Sequence, residues 1–305
     1  MDRVASLDLG QLRALSAAVS EGTLEAAARA LHVTPSAISQ RLRALEVATG
    51  RVLLVRSKPV RPTASGEVVL RLARQVELLA GDTLAELDGD ATAGDPAVQT
   101  LPIAVNADSL ATWVLPALAT VTGAVSGPVC FDVHRDDEEH TAALLRSGTV
   151  VAAVTTDPEA VAGCSVAPLG SMRYRPMASA ALARRWFPAG PTPEALAAAP
   201  VVVFDRKDDL QHRYLRRRLP DAAGSPPAHH VPSSADFLTA IRLGLGWGMV
   251  PELQVPVGDG DPLLELDPDG GVGVDLYWQQ WKLRSPTLDR VAAAVIAAAR
   301  EHLTR

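Results

Sequence analysis

The stretch Leu9–Gly50 constrains this chain more than any other, and within it the run Thr34–Gly50, TPSAISQRLRALEVATG. Thr34 is a capping residue, and Pro35 suits the first position of a helix, where its missing N–H would be unpaired in any case. Ile38, Leu42 and Leu45 follow at spacings of four and three, so they share one helix face. Ser36, Ser39, Gln40, Arg41 and Arg43 supply hydrogen-bonding groups on the other face, and Gly50 suits a helix stop. Upstream, Leu9, Leu12, Leu15 and Val19 recur at helical spacing. Glu21-Gly22-Thr23 ends that helix and caps the next, in which Ala27, Ala28 and Leu31 face inward. His32-Val33-Thr34-Pro35 is the connecting turn. Three short helices joined by tight turns, with one polar, basic helix facing outward, predict a helix-turn-helix unit that reads DNA.

The net charge of −6 argues against a nucleic-acid partner only if it is averaged over the chain. Residues 1–61 carry nine basic and five acidic side chains, a net +4, which leaves −10 on the remainder. A small basic head on an acidic body directs a polyanion to the head alone. At 305 residues the chain is long enough for two or three domains, and 48% hydrophobic with 21% charged residues fits a globular protein. No apolar run is long enough to span a bilayer, and MDRVASLDLG lacks the apolar core of a signal peptide. Two cysteines, Cys130 and Cys164, are too few for a disulfide framework; buried structural thiols and a cytoplasmic location are expected.

After Gly50, Val52–Val55 and the basic turn Arg56–Pro62 predict a hairpin wing. Thr63 then caps a helix over Ala64–Leu87. Val69, Leu72, Val76, Leu79 and Thr83 alternate three and four apart, the seam of a helix that pairs with a second copy. Gly89–Pro96 reads as a linker. Strands at Leu101–Val105, Val129–His134 and Val150–Thr155 alternate with helices at Leu110–Val121 and Asp137–Ser147, so a parallel α/β sheet is expected. A second α/β lobe begins near Leu169, with a strand at Val201–Phe204, helices at Asp208–Arg217 and Ser233–Leu243, and a strand at Trp247–Val250. Asp275–Trp281 reads as a last strand and Pro286–Thr304 as a closing helix.

The segment LRALSAAVSEGTLEAAARALHVTPSAISQRLRALEVATGRVLLVRSKPVRPTASG resembles the winged helix-turn-helix of LysR-type transcriptional regulators across the whole head. In the body, AVNADSLATWVLPAL, VVVFDRKDDLQHRYL and VPSSADFLTAIRLG are similar to the ArgP/LysG-like branch, regulators of basic-amino-acid export. Leu24 stands where the family often has an aromatic residue. The resemblance implies an α/β protein with an all-α winged helix-turn-helix head, a long linker helix and a two-lobed, periplasmic-binding-protein-like effector domain. It also implies homodimers that pair into homotetramers, with RNA polymerase as a further partner. The expected division is 1–63 for the head, 64–94 for the linker helix and hinge, and 95–305 for the effector domain. Lobe I would comprise 95–167 and 270–305, and lobe II 168–269.

A helix in the major groove meets a distinct donor and acceptor pattern at each base pair. Thr34, Pro35, Ser36, Ser39 and Gln40 are the candidates that face bases in double-stranded DNA; Arg43, Arg51, Arg56, Lys58 and Arg61 are the candidates for phosphate and wing contacts. The competing readings are a solvated surface arginine and a Ser39 hydroxyl bonded back to its own helix. In the effector domain, ligands of open α/β sheets sit at the carboxyl ends of strands. Asn106, Asp108 and Ser109 follow the first strand, Asp157 follows Val150–Thr155, Asp205 ends Val201–Phe204, and Ser233, Ser234 and Asp236 open a helix. Acids at strand ends suit a cationic amino acid, and the branch resemblance points to L-lysine, with L-arginine or histidine as alternatives. Asp236 as a mere helix cap and Asp205 as a solvent-facing group are the plain alternatives. His212, His229 and His230 lack metal-ligand spacing and are read as surface histidines, and WQQW at Trp278–Trp281 as strand. No cofactor or metal is expected, and the absence of GxSxG, HExxH and P-loop patterns speaks against an enzyme. The expectation is an effector-responsive regulator of an amino-acid exporter gene. The alternative is an effector-independent DNA-architectural protein or one that inhibits replication initiation.

Overall fold

Each of the first three helices begins on a closed side-chain cap. Asp8 Oδ1 accepts from the Gln11 N–H at 3.1 Å and starts α1 (Leu9–Ser20). Thr23 Oγ1 accepts from the Ala26 N–H at 3.1 Å and starts α2 (Leu24–Ala30). Thr34 Oγ1 accepts from the Ala37 N–H at 3.2 Å and starts α3 (Pro35–Thr49). Gly50 closes α3 in the left-handed region at φ 66°, where the lack of a Cβ removes the steric penalty. Leu12, Leu15, Ile38, Leu42, Leu45 and Leu53 are buried together, and Leu24 packs at the edge of this core. Leu54–Val55 (β1) and Arg61–Pro62 (β2) pair antiparallel, with Val55 opposite Arg61, as the expected wing. The Leu53 N–H donates to Glu46 Oε1 at 2.9 Å and ties the wing to α3.

This computed structural model describes residues 7–55, 57–88, 98–122, 129–135, 138–219, 225–255 and 263–304. The expected linker Gly89–Pro96 lies outside them. In α4 (Ala64–Asp88), Val69 and Val76 depart from the expected outward seam and pack against the head's core beside buried Leu70 and Ala73. Leu72, Leu79 and Thr83 remain exposed, and Val68, Leu84 and Leu87 extend the outward apolar stripe. The physical reason is that one face of α4 must cover α1, which rotates the free stripe away from the simple heptad reading.

The remaining elements, in chain order, are β3 (Gln99–Val105), α5 (Ala107–Ser109), a π-helical turn at Leu110–Val114, and α6 (Leu115–Thr122). Then come β4 (Val129–Arg135), α7 (Glu138–Ser147), β5 (Ala152–Thr155), β6 (Cys164–Ser179), α8 (Ala180–Trp186), α9 (Pro193–Ala198), β7 (Val201–Val203) and α10 (Leu210–Arg218). The chain closes with β8 (Ala228–His230), α11 (Ser234–Arg242), β9 (Gly248–Pro251), β10 (Leu263–Glu265), β11 (Val272–Trp281) and α12 (Pro286–His302). It divides into two units. The first comprises 1–105, 118–167 and 278–294, the second 106–117, 168–277 and 295–305.

In the first unit β3 runs parallel to both β4 and β5, with Ile103 opposite Val133 on one side and Ala152 on the other, as the alternation of strands and helices predicts. Trp278 and Trp281 of β11 are buried here, and so is Gln279 between them. Its amide accepts from the Val161 N–H at 3.0 Å and donates to the Asp157 and Glu159 carbonyls, bracing the loop after β5. In the second unit β6 pairs antiparallel with β9 and β10, while β7 and β8 pair parallel. Arg175 on β6 ion-pairs with Glu252 at 2.7 Å and Glu265 at 2.6 Å, and Met177, Val202, Phe237, Ile241 and Val250 form the core.

Cys164 is buried, which pushes its thiol up to about 11, whereas Cys130 is exposed rather than buried as expected. His212, His229 and His230 are exposed. Among the described residues no helix is long and apolar enough to cross a membrane.

Candidate functional site

On the head, Thr34, Pro35, Ser36, Ser39, Gln40 and Arg43 are all exposed on or just before α3, while Ile38, Leu42 and Leu45 hold its other face against the core. The expected polar face is therefore displayed. Two of its hydroxyls are already engaged: Thr34 caps α3, and Ser39 Oγ donates back to the Pro35 carbonyl at 3.1 Å. The local alternative weighed for Ser39 is thus the one adopted, and Ser36 and Gln40 are the stronger candidates for base contact. Arg51 lies at the exit of α3, Lys58 in the wing turn and Arg61 on β2, all exposed. Arg56 lies outside the described residues. One end of the head thus shows a polar helix beside a basic hairpin, the shape and charge that suit a phosphate-lined groove.

In the second unit, Asp108 is the centre of the site. Tyr174 Oη donates to Asp108 Oδ2 and Ser234 Oγ to Asp108 Oδ1, both at 2.9 Å; Gln254 Nε2 donates to Ser234 Oγ at 2.8 Å. Burial pushes the Asp108 carboxyl above the ordinary carboxylate range; the two hydroxyls act against that, and the charge of Asp208 adds to it. Asp208 is itself raised by burial, while the Leu210 and Phe204 amides at 2.9 and 3.1 Å hold it down. Asp205 sits beside it, its Oδ1 accepting from the Lys207 and Asp208 amides at 2.7 and 3.0 Å. Two buried carboxylates, one feeling the charge of the other, favour a cation nearby. Asn106 and Ser233 stand at the N-cap positions of α5 and α11, and neither makes a side-chain cap bond. Asn106 Oδ1, Ser109 Oγ and the Trp113 and Trp247 indole N–H groups are buried without a hydrogen-bond partner among the described residues. Such groups are rare in folded proteins.

Of the candidate effector residues, Asp108 and Ser234 are thus in direct contact, while Asp205 is bonded to the backbone of Asp208, whose charge acts on Asp108. Asp236 is exposed in the first turn of α11. Asp157 belongs to the first unit, where its Oδ1 accepts from the Glu159 N–H at 2.8 Å and shapes its own loop.

Residues 9–67 match the bacterial regulatory helix-turn-helix protein, lysR family, and residues 94–303 match the LysR substrate binding domain. The chain belongs to the LysR family. Among its relatives, the transcriptional regulator LysG of Mycobacterium tuberculosis strain H37Rv is 45% identical over 295 residues, 96% of this chain and 94% of that protein. The lysine export transcriptional regulatory protein LysG of Corynebacterium glutamicum is 41% identical over 294 residues, 96% of this chain and 98% of that protein. The crystal structure of ArgP from Mycobacterium tuberculosis matches with a TM-score of 0.80 at 44% identity, covering 98% of this chain and 99% of that one. Full-length LysG from Corynebacterium glutamicum with bound effector Arg matches at 0.72 and 38%, covering 98% and 100%. This LysR-family chain is accordingly a DNA-binding transcriptional regulator of the LysG/ArgP branch.

Three residues around Asp108 escape sequence reasoning. Tyr174 lies on β6, where Met172, Tyr174 and Pro176 turn inward and Arg173 and Arg175 do not; that period-two alternation is the signal that would have found it. Asp208 follows Asp205 too closely for spacing alone to tell which one turns inward. Gln254 has no signal in the sequence, because its partner Ser234 is 20 residues away.

Proposed function

We propose that this regulator responds to a basic amino acid, L-lysine or L-arginine, held at Asp108, and controls an amino-acid exporter gene. The observation that carries the reading is the half-buried Asp108 carboxylate, which accepts from the neutral hydroxyls of Tyr174 and Ser234 and feels the charge of a second acid, Asp208. A ligand ammonium or guanidinium would supply the missing positive charge, and Asn106, Ser109, Ser233 and Asp205 are the groups to meet its remaining polar atoms. The arginine bound to LysG of Corynebacterium glutamicum supports a cationic effector, and the similarity to that organism's lysine export regulatory protein supports the exporter role.

On the DNA, Ser36 and Gln40 would read base edges, Thr34, Pro35 and Ser39 would shape the approach, and Arg43, Arg51, Arg56, Lys58 and Arg61 would hold phosphates. The exposed stripe of α4 supports a homodimer as the DNA-bound form, with pairing into a homotetramer and contact with RNA polymerase following from it. The effector acts by binding two arrangements of the protein unequally, since equal affinity shifts nothing.

Calorimetry with L-arginine and L-lysine tests the reading. Saturable binding by the wild-type protein and its loss in Asp108→Asn is the expected result; binding of the same strength in both proteins overturns it. Footprints on promoter DNA should change when the effector is added. Footprints indifferent to amino acids would instead favour an architectural or replication-inhibiting role.

A further inference from the structure

Arg74 of α4 is 6% exposed, and its guanidinium joins two parts of the first unit that are distant in sequence. Arg74 Nη2 donates to Ser20 Oγ, at the last residue of α1, at 2.9 Å. Arg74 Nη1 donates to the carbonyl of Thr149, in the turn between α7 and β5. One helical turn along α4, Glu77 accepts from Ser16 Oγ of α1 at 2.9 Å. The charges of Glu77 and Asp132 act on the guanidinium. Between α1 and the β3 side of the unit lies a groove of about 860 Å³, and Arg74 stands in its wall, bonded to both sides.

The turn is seated on α4 with no room to slide. Gly148 adopts φ +77°, and a Cβ built there would lie 2.6 Å from the Cα of Arg71. Ser147 Oγ and Thr149 Oγ1 are bonded to each other at 2.9 Å, which ties the turn to itself. A guanidinium is a planar fork of five donors. Withdrawing either acceptor leaves a buried, charged N–H unpaired, which costs far more than a neutral hydrogen bond is worth. Displacement of the 147–149 turn is therefore felt at the end of α1, and displacement of α1 is felt at the turn.

We propose that Arg74 is the positioning residue that couples the DNA-reading head to the α/β part of the first unit, through Ser20 on one side and the Thr149 carbonyl on the other. It touches neither DNA nor effector, and it acts by making the placement of α1 depend on the placement of the α7–β5 turn. Lysine at this position has one ammonium and cannot serve both acceptors in the same geometry.

The test is amide hydrogen exchange on the full-length chain, in wild type, Ser20→Ala and Arg74→Lys, without any ligand. Ser20 is exposed, so Ser20→Ala folds even where Arg74→Lys is compromised. In Ser20→Ala, exchange should quicken about tenfold or more at the end of α1 and also across residues 148–152, more than 100 residues away in sequence, as expected for loss of one hydrogen bond to a charged group. Quickening confined to α1, or none at all, overturns the proposal. A second arm rests on the proposed arginine response: L-arginine should change exchange in α1–α3 of the wild type, and this change should shrink in Ser20→Ala while the calorimetric Kd for arginine is unaltered. An undiminished change in the head overturns the coupling. A wild type that does not bind arginine counts against the effector reading alone, and the ligand-free arm then decides.

Discussion

The helices of the head and the helices of the effector site use the same capping residues to opposite ends. Asp8, Thr23 and Thr34 each close their helix start with a side-chain hydrogen bond. Asn106 and Ser233 are equally good capping residues, yet neither side chain bonds to the helix it precedes. The difference teaches where the molecule is finished and where it is held open. The reading helix of the head is complete without DNA, so its geometry is preformed. Around Asp108, polar atoms are buried without a hydrogen-bond partner among the described residues, with an acid at the centre, which is the arrangement that the proposed effector would complete. An unmade cap forgoes about 1 kcal/mol, and a site that tolerates two of them gains that energy back from its ligand.

The largest effect that could break this contrast is at Asp108. Asp108→Asn should weaken L-arginine or L-lysine binding about ten- to hundredfold, the range of one hydrogen bond to a charged group, as measured by calorimetry. Next, Gln40→Ala should lose about 1–3 kcal/mol on the operator and almost nothing on random duplex; equal losses on both in a binding titration would remove Gln40 from base reading. Thr34→Ala should lower the stability of the head by about 1 kcal/mol in a denaturant melt. Ser233→Ala sharpens the comparison directly, because it should change ligand-free stability by no more than a few tenths of a kcal/mol while still weakening effector binding. A loss as large as that at Thr34 would show the cap to be made after all. The smallest effect is with pH. The folded-state carboxyls of Asp108 and Asp208 lie above their unfolded values, so their contribution to ligand-free stability is complete below about pH 3.9 and is lost as pH rises through the raised values. Asp108→Asn should therefore raise the melting temperature of the ligand-free protein near neutral pH and flatten its fall with pH, even as it removes the ligand-induced rise.

The head was legible almost residue by residue, because caps, helix stops and apolar spacing are local signals. The seam of α4 was half legible: period three-and-four marks an amphipathic helix, but Val69 and Val76 answer to α1, a partner that periodicity does not name. In the second unit, Asp108 was found because it follows a strand, and Ser234 because it opens a helix. Their mutual contact joins positions 126 residues apart and is invisible to spacing. Asp157 passed the same strand-end rule, and its carboxylate bonds within its own loop. The long antiparallel strand β6 was missed because its alternating half abuts a fully buried one, from Pro176 to Ser179, and a mixed pattern reads as neither.

The polypeptide changes unit at residues 106, 118, 168, 278 and 295. No single cut can therefore liberate either half of the regulatory portion, and a fragment beginning at Asn106 would lack β3, the strand on which both β4 and β5 are aligned. Exchange of modules between relatives is confined by this weave to the stretch ahead of Gln99, where a new reader can be grafted by one crossover; what lies beyond it must be inherited whole.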